Sequence, residues 1–399
     1  MNIENFANSS TIKNKPESDA LNKKIPHKIQ DFLIEKQAIT PFLVVDLDTI
    51  SHNYLTLRRL LPQAQIYYAM KANPAPEILK LLARLGSSFD TASVFEIQQC
   101  IAAGAMPEHI SYGNTIKKAR DIAYAYKLGV RLFAFDSLCE LEKIATHAPG
   151  ASVYCRLLMN NEGAEWPLSK KFGCEIDMAY DLLLHSRQLG LDPYGVSFHV
   201  GSQQTDPSQW YIPISKTAML FSALKQAGVQ LRMVNLGGGF PGRYRSEVLS
   251  VETYTATITK AISRYFSDIP AIMLEPGRSL VADAGVIQTE VVLISQKSYS
   301  DDKRWVFLDI GKFGGLAETM DECIKYRIRT PRDGTEVGPI ILAGPTCDSA
   351  DILYEKANYE LPLNLKVGDK IEILSTGAYT TTYAAVGFNG FPPLKAYYI

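Results

Sequence analysis

IYYAMKANPAPEILKLLARLGSSFDTAS, residues 66–93, decides the fold. It opens with an apolar run of strand character that ends at Lys71, and it closes with a second short run, SFDTAS. Between them Ile78, Leu81, Leu82 and Leu85 recur at helical spacing on one face, and Gly86 stands where a helix C-cap belongs. Strand, helix and strand in that order make a β–α–β unit, whose crossover sets the two strands parallel. The same texture returns outward in ISYGN (110–114), LFAFDS (132–137), VYCRLLM (153–159), VSFHVGS (196–202), MVNLGGG (233–239) and IMLEPGR (272–278). Helix-period segments such as ITKAISRYF (258–266) lie between them. Eight strands and seven largely helical crossovers over about 215 residues fit an α/β fold, a parallel (β/α)₈ TIM barrel, better than an open sheet.

After residue 285 the texture changes. GVIQTEVVLIS, RWVFLDIG, GPIILAGP and VGDKIEIL are β-branched runs with little helix between them, the mark of a mostly antiparallel β domain. KVGDK (366–370) is a tight-turn signal. The polar stretch 1–24 reads as a flexible tail, 42–285 as the barrel, and 25–41 plus 286–399 as the β domain.

Composition removes several classes of function. Of 399 residues, 46% are hydrophobic and 21% charged, an ordinary globular balance. Forty-one Lys+Arg against 42 Asp+Glu leave a net charge of -1, so there is no basic excess for a nucleic-acid backbone. No apolar run is long enough for a membrane span, and the N-terminus lacks the apolar core of a signal peptide, so a cytoplasmic location is expected. Cys100, Cys139, Cys155, Cys174, Cys323 and Cys347 form no CxxC pair, which argues against a disulfide framework or a zinc site.

In a barrel of this kind functional residues gather at the C-terminal ends of the strands. Those ends carry Lys71, Asp90, Asn114, Asp136, Arg156, His199 with Ser202, Gly237–Gly239, and Glu275 with Arg278. Lys71 is either a lysine snorkelling to the surface or an amine at the barrel mouth. At the mouth, desolvation would lower its pKa and leave a neutral nucleophile for a carbonyl. GGGFPG (237–242) satisfies GxGxxG, but it follows the seventh strand and has Pro241 inside, so it fits a barrel phosphate loop better than a dinucleotide fingerprint. A plain tight turn is the other reading. Glu275 could pair with Arg278, or could hold a heteroaromatic nitrogen protonated and so make the ring an electron sink. His199 could be a core histidine or a ring stacked on a flat cofactor. Cys347 and Asp348, in GPTCDSAD (344–351), could be an inert thiol and a turn former, or a proton donor and an ammonium receptor. Ser93 to Glu96 is a capping box, which alone could explain Glu96.

Taken together, YAMKANP, FDTAS, FHVGSQ, NLGGGFP, EPGR, GPTCDSAD, GAYT and FNGF resemble the fold-type III pyridoxal-phosphate decarboxylases, in order, from about Pro41 onward. GPTCDSAD and LDIGKFGGLAETMDECIKYRIRT look most like the bacterial ornithine decarboxylases, whereas Gln203 in HVGSQ is a form more familiar from diaminopimelate enzymes. The resemblance implies an alanine-racemase-type barrel with a β domain, working as a homodimer with shared active sites. Lys71 would carry pyridoxal 5'-phosphate covalently, Glu275 would meet its ring nitrogen and His199 would stack on the ring. Ser202, Gly238, Gly239, Arg278 and Tyr379 would bind the phosphate, with Asp90 and Arg156 beside the cofactor. Cys347 of the second subunit would protonate the α-carbon and Asp348 would grip the distal ammonium of a small basic amino acid, with Glu322 and adjacent Asp321 as further acidic candidates. The implied reaction is L-ornithine to putrescine, with L-lysine to cadaverine as a second activity, since one methylene is weakly discriminated. The alternatives are a meso-diaminopimelate decarboxylase, for which neither GPTCDSAD nor GAYTTTYAA supplies an arginine, and a non-catalytic decarboxylase homologue that binds a regulatory partner.

Overall fold

The computed structural model describes residues 24–159, 162–166 and 171–399; the tail expected at 1–24 falls outside them except for Lys24. In chain order the strands begin with β1 (Phe42–Val45), β2 (Ala64–Ala69), β3 (Ser88–Thr91), β4 (Ile110–Tyr112), β5 (Leu132–Phe135) and β6 (Ser152–Arg156). They continue with β7 (Ala164–Trp166), β8 (Asp192–Ser197), β9 (Ser202–Gln204), β10 (Met233–Asn235) and β11 (Ala271–Leu274). Strands β2, β3, β4, β5, β6, β8, β10 and β11 pair in parallel in that order, and β11 returns to β2 to close a barrel. Phe89, Phe133, Phe135, Val153, Cys155 and Val196 belong to the main core, while Ala134, Tyr154, Met233 and Met273 form a separate small cluster inside the barrel.

All eight barrel strands exist where the sequence suggests, but most end earlier. The strand containing His199 stops at Ser197, and the one containing Glu275 stops at Leu274. Most residues with chemistry lie just beyond, in turns that the apolar pattern alone does not separate from strand, whereas Asp90 and Arg156 are still within β3 and β6. In the opening β–α–β unit the helix is Pro76–Arg84 and buries Ile78, Leu79 and Leu82, so its face is centred near Leu82 and takes in Leu79, with Leu81 and Leu85 only partly covered. Gly86 caps it in the left-handed region (φ +86°), and Ser87 N donates to Leu82 O at 3.0 Å, a Schellman ending.

The second sheet is built from β12 (Gly285–Ser295), β13 (Arg304–Leu308), β14 (Ile328–Arg329), β15 (Val337–Ala343), β16 (Ile352–Pro362), β17 (Lys370–Leu374) and β18 (Lys395–Tyr398) together with β1. Its pairings are antiparallel except β13 with β15 and β1 with β18. Residue 42 therefore does not open the barrel: β1 runs antiparallel to β12. Its alternation explains this. Phe42 and Val44 pack with Ile25, Ile29, Val286 and Leu374, while Leu43 and Val45 face the main core, so the strand is apolar on both sides and reads like a barrel strand. The turn from this sheet back to the barrel mouth is tight: Asn73 Nδ2 donates to Gly377 O and Tyr379 N to Ala72 O, at 2.9 and 2.8 Å.

Candidate active site

Eleven residues singled out in the sequence line one cavity of about 370 Å³ at the C-terminal mouth of the barrel: Lys71, Asp90, Asn114, Arg156, His199, Ser202, Gly238, Gly239, Glu275, Arg278 and Tyr379. Barrel closure explains the grouping, because β11 lies against β2 and Ala69 N donates to Pro276 O at 3.0 Å. The turns carrying Lys71 and Glu275–Arg278 are thereby neighbours despite their distance in sequence.

Lys71 sits in the single turn Met70–Ala72 directly after β2, half-exposed to the cavity, with Nζ 3.8 Å from Asp90 Oδ2. The expected neutral amine is not what the surroundings produce. Desolvation pulls Lys71 down, but Asp90, Tyr379 and Glu275 outweigh it and hold the ammonium above the ordinary lysine value. Asp90 is pushed well up by burial and by Glu275, with Lys71 opposing. Its Oδ1 is buried without a hydrogen-bond partner, and a Cβ on Gly113 would collide with that oxygen. His199 accepts the Gly201 N–H on Nδ1 at 3.0 Å, and burial, Arg156 and Lys71 drive it well below its usual range, so the imidazole is neutral with its proton on Nε2.

Arg278 is buried and does not pair with Glu275. Its fork meets Glu318, Nη2 to Oε1 at 2.5 Å and Nη1 to Oε2 at 2.6 Å, and it also donates to Tyr244 Oη at 2.7 Å and Ser202 Oγ at 3.1 Å. Its guanidinium lies 4.9 Å from the Tyr379 ring centroid. Glu275 instead accepts from Asn235 Nδ2. At Gly238 a Cβ would stand 2.6 Å from Glu275 O, and Gly239 is left-handed (φ +99°), so this loop closes without side chains. Gln203 is turned away from the cavity: its buried amide pairs with Gly242, accepting its N–H and donating to its carbonyl, both at 2.9 Å. That pairing makes Gln203 a clamp on the glycine loop.

Cys347, Asp348, Asp321 and Glu322 do not line this chain's cavity. Cys347 and Asp348 are exposed on the loop between β15 and β16. That loop is fixed by buried Asp351, which accepts from Lys312 N at 2.7 Å and from Thr346 N and Oγ1 at 3.1 and 2.8 Å. Asp321 is exposed, and Glu322 Oε1 accepts the backbone N–H groups of Glu355 and Lys356, each at 2.7 Å. The lining residues that the sequence reading passed over are chiefly Glu318, Gly277, Trp166, Phe172 and Tyr383. Phe172 carries Arg156 5.3 Å from its ring centroid. None follows a barrel strand directly, apart from Gly277 inside EPGR, so the strand-end rule could not reach them. The Ser93 arm of the capping box forms, with Glu96 N donating to Ser93 Oγ at 3.3 Å, while Glu96 Oε2 accepts from Ala92 N, one residue before the N-cap, at 2.5 Å.

Residues 47–282 match the family model described as "Pyridoxal-dependent decarboxylase, pyridoxal binding domain". The chain is 36% identical to a lysine/ornithine decarboxylase of Selenomonas ruminantium over 90% of this chain and 89% of that protein. Among solved structures it resembles SrLDC in complex with PLP and cadaverine (34% identity, TM-score 0.85, 94% of each chain). It is similar also to a lysine/ornithine decarboxylase of Vibrio vulnificus complexed with cadaverine (30% identity, TM-score 0.84, 94% of this chain and 98% of that one). With the barrel matched nearly end to end and its mouth carrying an amine, carboxylates and a side-chain-free loop, the chain belongs to the pyridoxal-dependent decarboxylases.

Proposed function

We propose that this chain decarboxylates L-ornithine to putrescine, with L-lysine to cadaverine as a second activity, and that Lys71, Glu275, His199 and the Gly238–Gly239 loop hold pyridoxal 5'-phosphate. The observation that carries the reading is the convergence on one cavity of the Lys71 amine, the Asp90 and Glu275 carboxylates, neutral His199 and the glycine loop. The residues fit the cofactor by their own chemistry. Asp90 Oδ1 is an orphaned buried acceptor, the Gly238 backbone is bare where a side chain would clash, and Ser202 is held by a buried cation. When bound, the cofactor supplies an aldehyde that condenses with amines and a ring that accepts the electron pair left when CO₂ departs.

The remaining work falls to this chain's side chains. Lys71 must shed a proton to become a nucleophile, and Asp90 Oδ2 at 3.8 Å is placed to take it. Glu275 meets a ring nitrogen, and His199, being neutral and flat, adds no charge against a ring face. Ser202 Oγ accepts from Arg278, so its own proton is free for an anion. Cys347 and Asp348 act from a second copy of the chain, where Cys347 delivers a proton to the substrate α-carbon and Asp348 receives the distal ammonium; their exposure on a pre-organised loop tip supports that assignment. Asp321 and Glu322 are weaker candidates for the ammonium, given the backbone partners of Glu322. Relatives named for both substrates support lysine as the second activity beside ornithine. A distal carboxylate, as in diaminopimelate, would need a cation; Arg278 is paired with Glu318, which leaves Arg156 as the other guanidinium lining the cavity.

Borohydride reduction followed by peptide mapping tests the cofactor reading: an adduct on Lys71 is expected, and an adduct elsewhere rejects it. Steady-state rates on ornithine, lysine, arginine and meso-diaminopimelate test the substrate. A rate on diaminopimelate far above ornithine overturns the substrate assignment.

A further inference from the structure

Asn235 closes β10 within MVNLGGG and is fully buried. Its Oδ1 accepts the Gly237 N–H at 2.9 Å, and its Nδ2 donates to Glu275 Oε1 at 2.5 Å. The backbone N–H of Glu275 in turn donates to Gly237 O at 2.9 Å. These bonds close a ring through Asn235, Gly237 and Glu275. The amide can face only one way, because a backbone N–H needs an acceptor and a carboxylate oxygen needs a donor. Gly237 is left-handed (φ +67°), and a Cβ there would strike Phe198 O, so that turn has no side chain of its own to anchor it. Directly after it come Gly238 and Gly239, the bare loop of the cavity. One arm of the Asn235 amide therefore holds the loop and the other holds the carboxylate.

We propose that Asn235 is a positioning residue that fixes the spacing between the Gly238–Gly239 loop and the Glu275 carboxylate. It thereby matches the site to a heterocycle whose ring nitrogen and phosphate lie a set distance apart. This rests on the reading of Glu275 as the partner of the ring nitrogen. Two variants separate the arms: Asn235→Asp keeps the acceptor for Gly237 but turns a second carboxylate toward Glu275, and Asn235→Ala removes both arms.

Each variant is reconstituted with ¹⁵N-labelled pyridoxal phosphate, and the ring-nitrogen shift is followed with pH alongside cofactor affinity by dialysis. Asn235→Ala should lose the ring proton at lower pH than the parent and Asn235→Asp at higher pH, because its added carboxylate favours the protonated ring, with kcat down about 10–100-fold in both, as for other outer-shell partners. Cofactor affinity should hold in Asn235→Asp and weaken in Asn235→Ala. A ring-nitrogen titration unmoved in both cofactor-loaded variants overturns the proposal. Glu275→Gln runs beside them. If it too leaves the ring nitrogen unmoved, the reading of Glu275 fails; if it alone shifts the titration, only the role of Asn235 fails. Should Asn235→Ala not fold, the near-isosteric Asn235→Asp decides the matter.

Discussion

Replacing Glu318 by alanine tests how the anion end of the cavity is held. Arg278 and Glu318 are both buried, each about 3% exposed, and are joined by two charge-assisted bonds. Removing the carboxylate leaves a buried guanidinium with Tyr244 and Ser202 as its hydrogen-bond partners among the described residues. Breaking one side of such a pair costs about 3–5 kcal/mol, because the surviving charge stays desolvated. At about 2.1 cal/mol/K of unfolding entropy per residue, 399 residues give about 0.8 kcal/mol/K, so the loss corresponds to a fall in Tm of about 4–6 °C for one cooperative transition. The assay is thermal unfolding of parent, Glu318→Ala and Glu318→Gln proteins, with and without saturating pyridoxal phosphate. The alanine variant should recover part of its deficit with cofactor, since Arg278 then has a phosphate dianion to pair with. A variant that melts with the parent, or whose deficit is the same with and without cofactor, refutes the view that Glu318 balances the charge of an anion-binding arginine.

Gly238→Ala should weaken cofactor binding about 5–150-fold by dialysis, the equivalent of 1–3 kcal/mol of overpacking, since its methyl would stand 2.6 Å from Glu275 O; unchanged affinity would remove Gly238 from the site. Lys117, buried beside Glu140, is lowered by desolvation from 10.5 to about 8, against the pull of Glu140. The native state then gives up this proton before the unfolded chain does, so its contribution to stability rises with pH from about 8 to 10.5 by about 3 kcal/mol. Urea titrations of parent and Lys117→Met across that window should diverge accordingly, and parallel curves contradict it. If active sites are shared between copies, mixing inactive Lys71→Ala with inactive Cys347→Ala should restore about a quarter of parental activity through heterodimers with one intact site. No recovery places Cys347 outside the partner's site.

The fold was legible because each barrel strand is short, apolar and followed by a polar residue, a pattern that buried parallel strands impose. The cavity residues were legible for the same reason, except Tyr379, which follows β17 and was reached only through the resemblance of GAYT. What escaped was whatever depends on contacts between distant segments. Glu318 lies in the turn Ala317–Glu322 between β13 and β14 and reaches Arg278 only when the second sheet docks on the barrel. The Glu275–Arg278 pairing suggested by EPGR fails because Asn235 and Glu318 claim the two partners separately. The protonation of Lys71 was misjudged because burial is visible in an apolar sequence run, whereas the charges of Asp90 and Glu275, contributed by other strands, are not. Strand β16, with Glu355 and Lys356 in succession, lacks a simple alternation and was passed over for that reason.

Strands β1 and β18 lie side by side, Phe42 against Lys395 and Val45 against Tyr398, although about 350 residues separate them. During synthesis the barrel has all its strands once Leu274 has left the ribosome, whereas Phe42–Val45 keeps an open edge until the far end of the chain arrives. Assembly is thus ordered in time, barrel first and sheet afterwards. Because Tyr379 and Glu318 follow the last barrel strand, a nascent chain that has every barrel strand and already carries Lys71 still lacks two of the side chains that line the cavity.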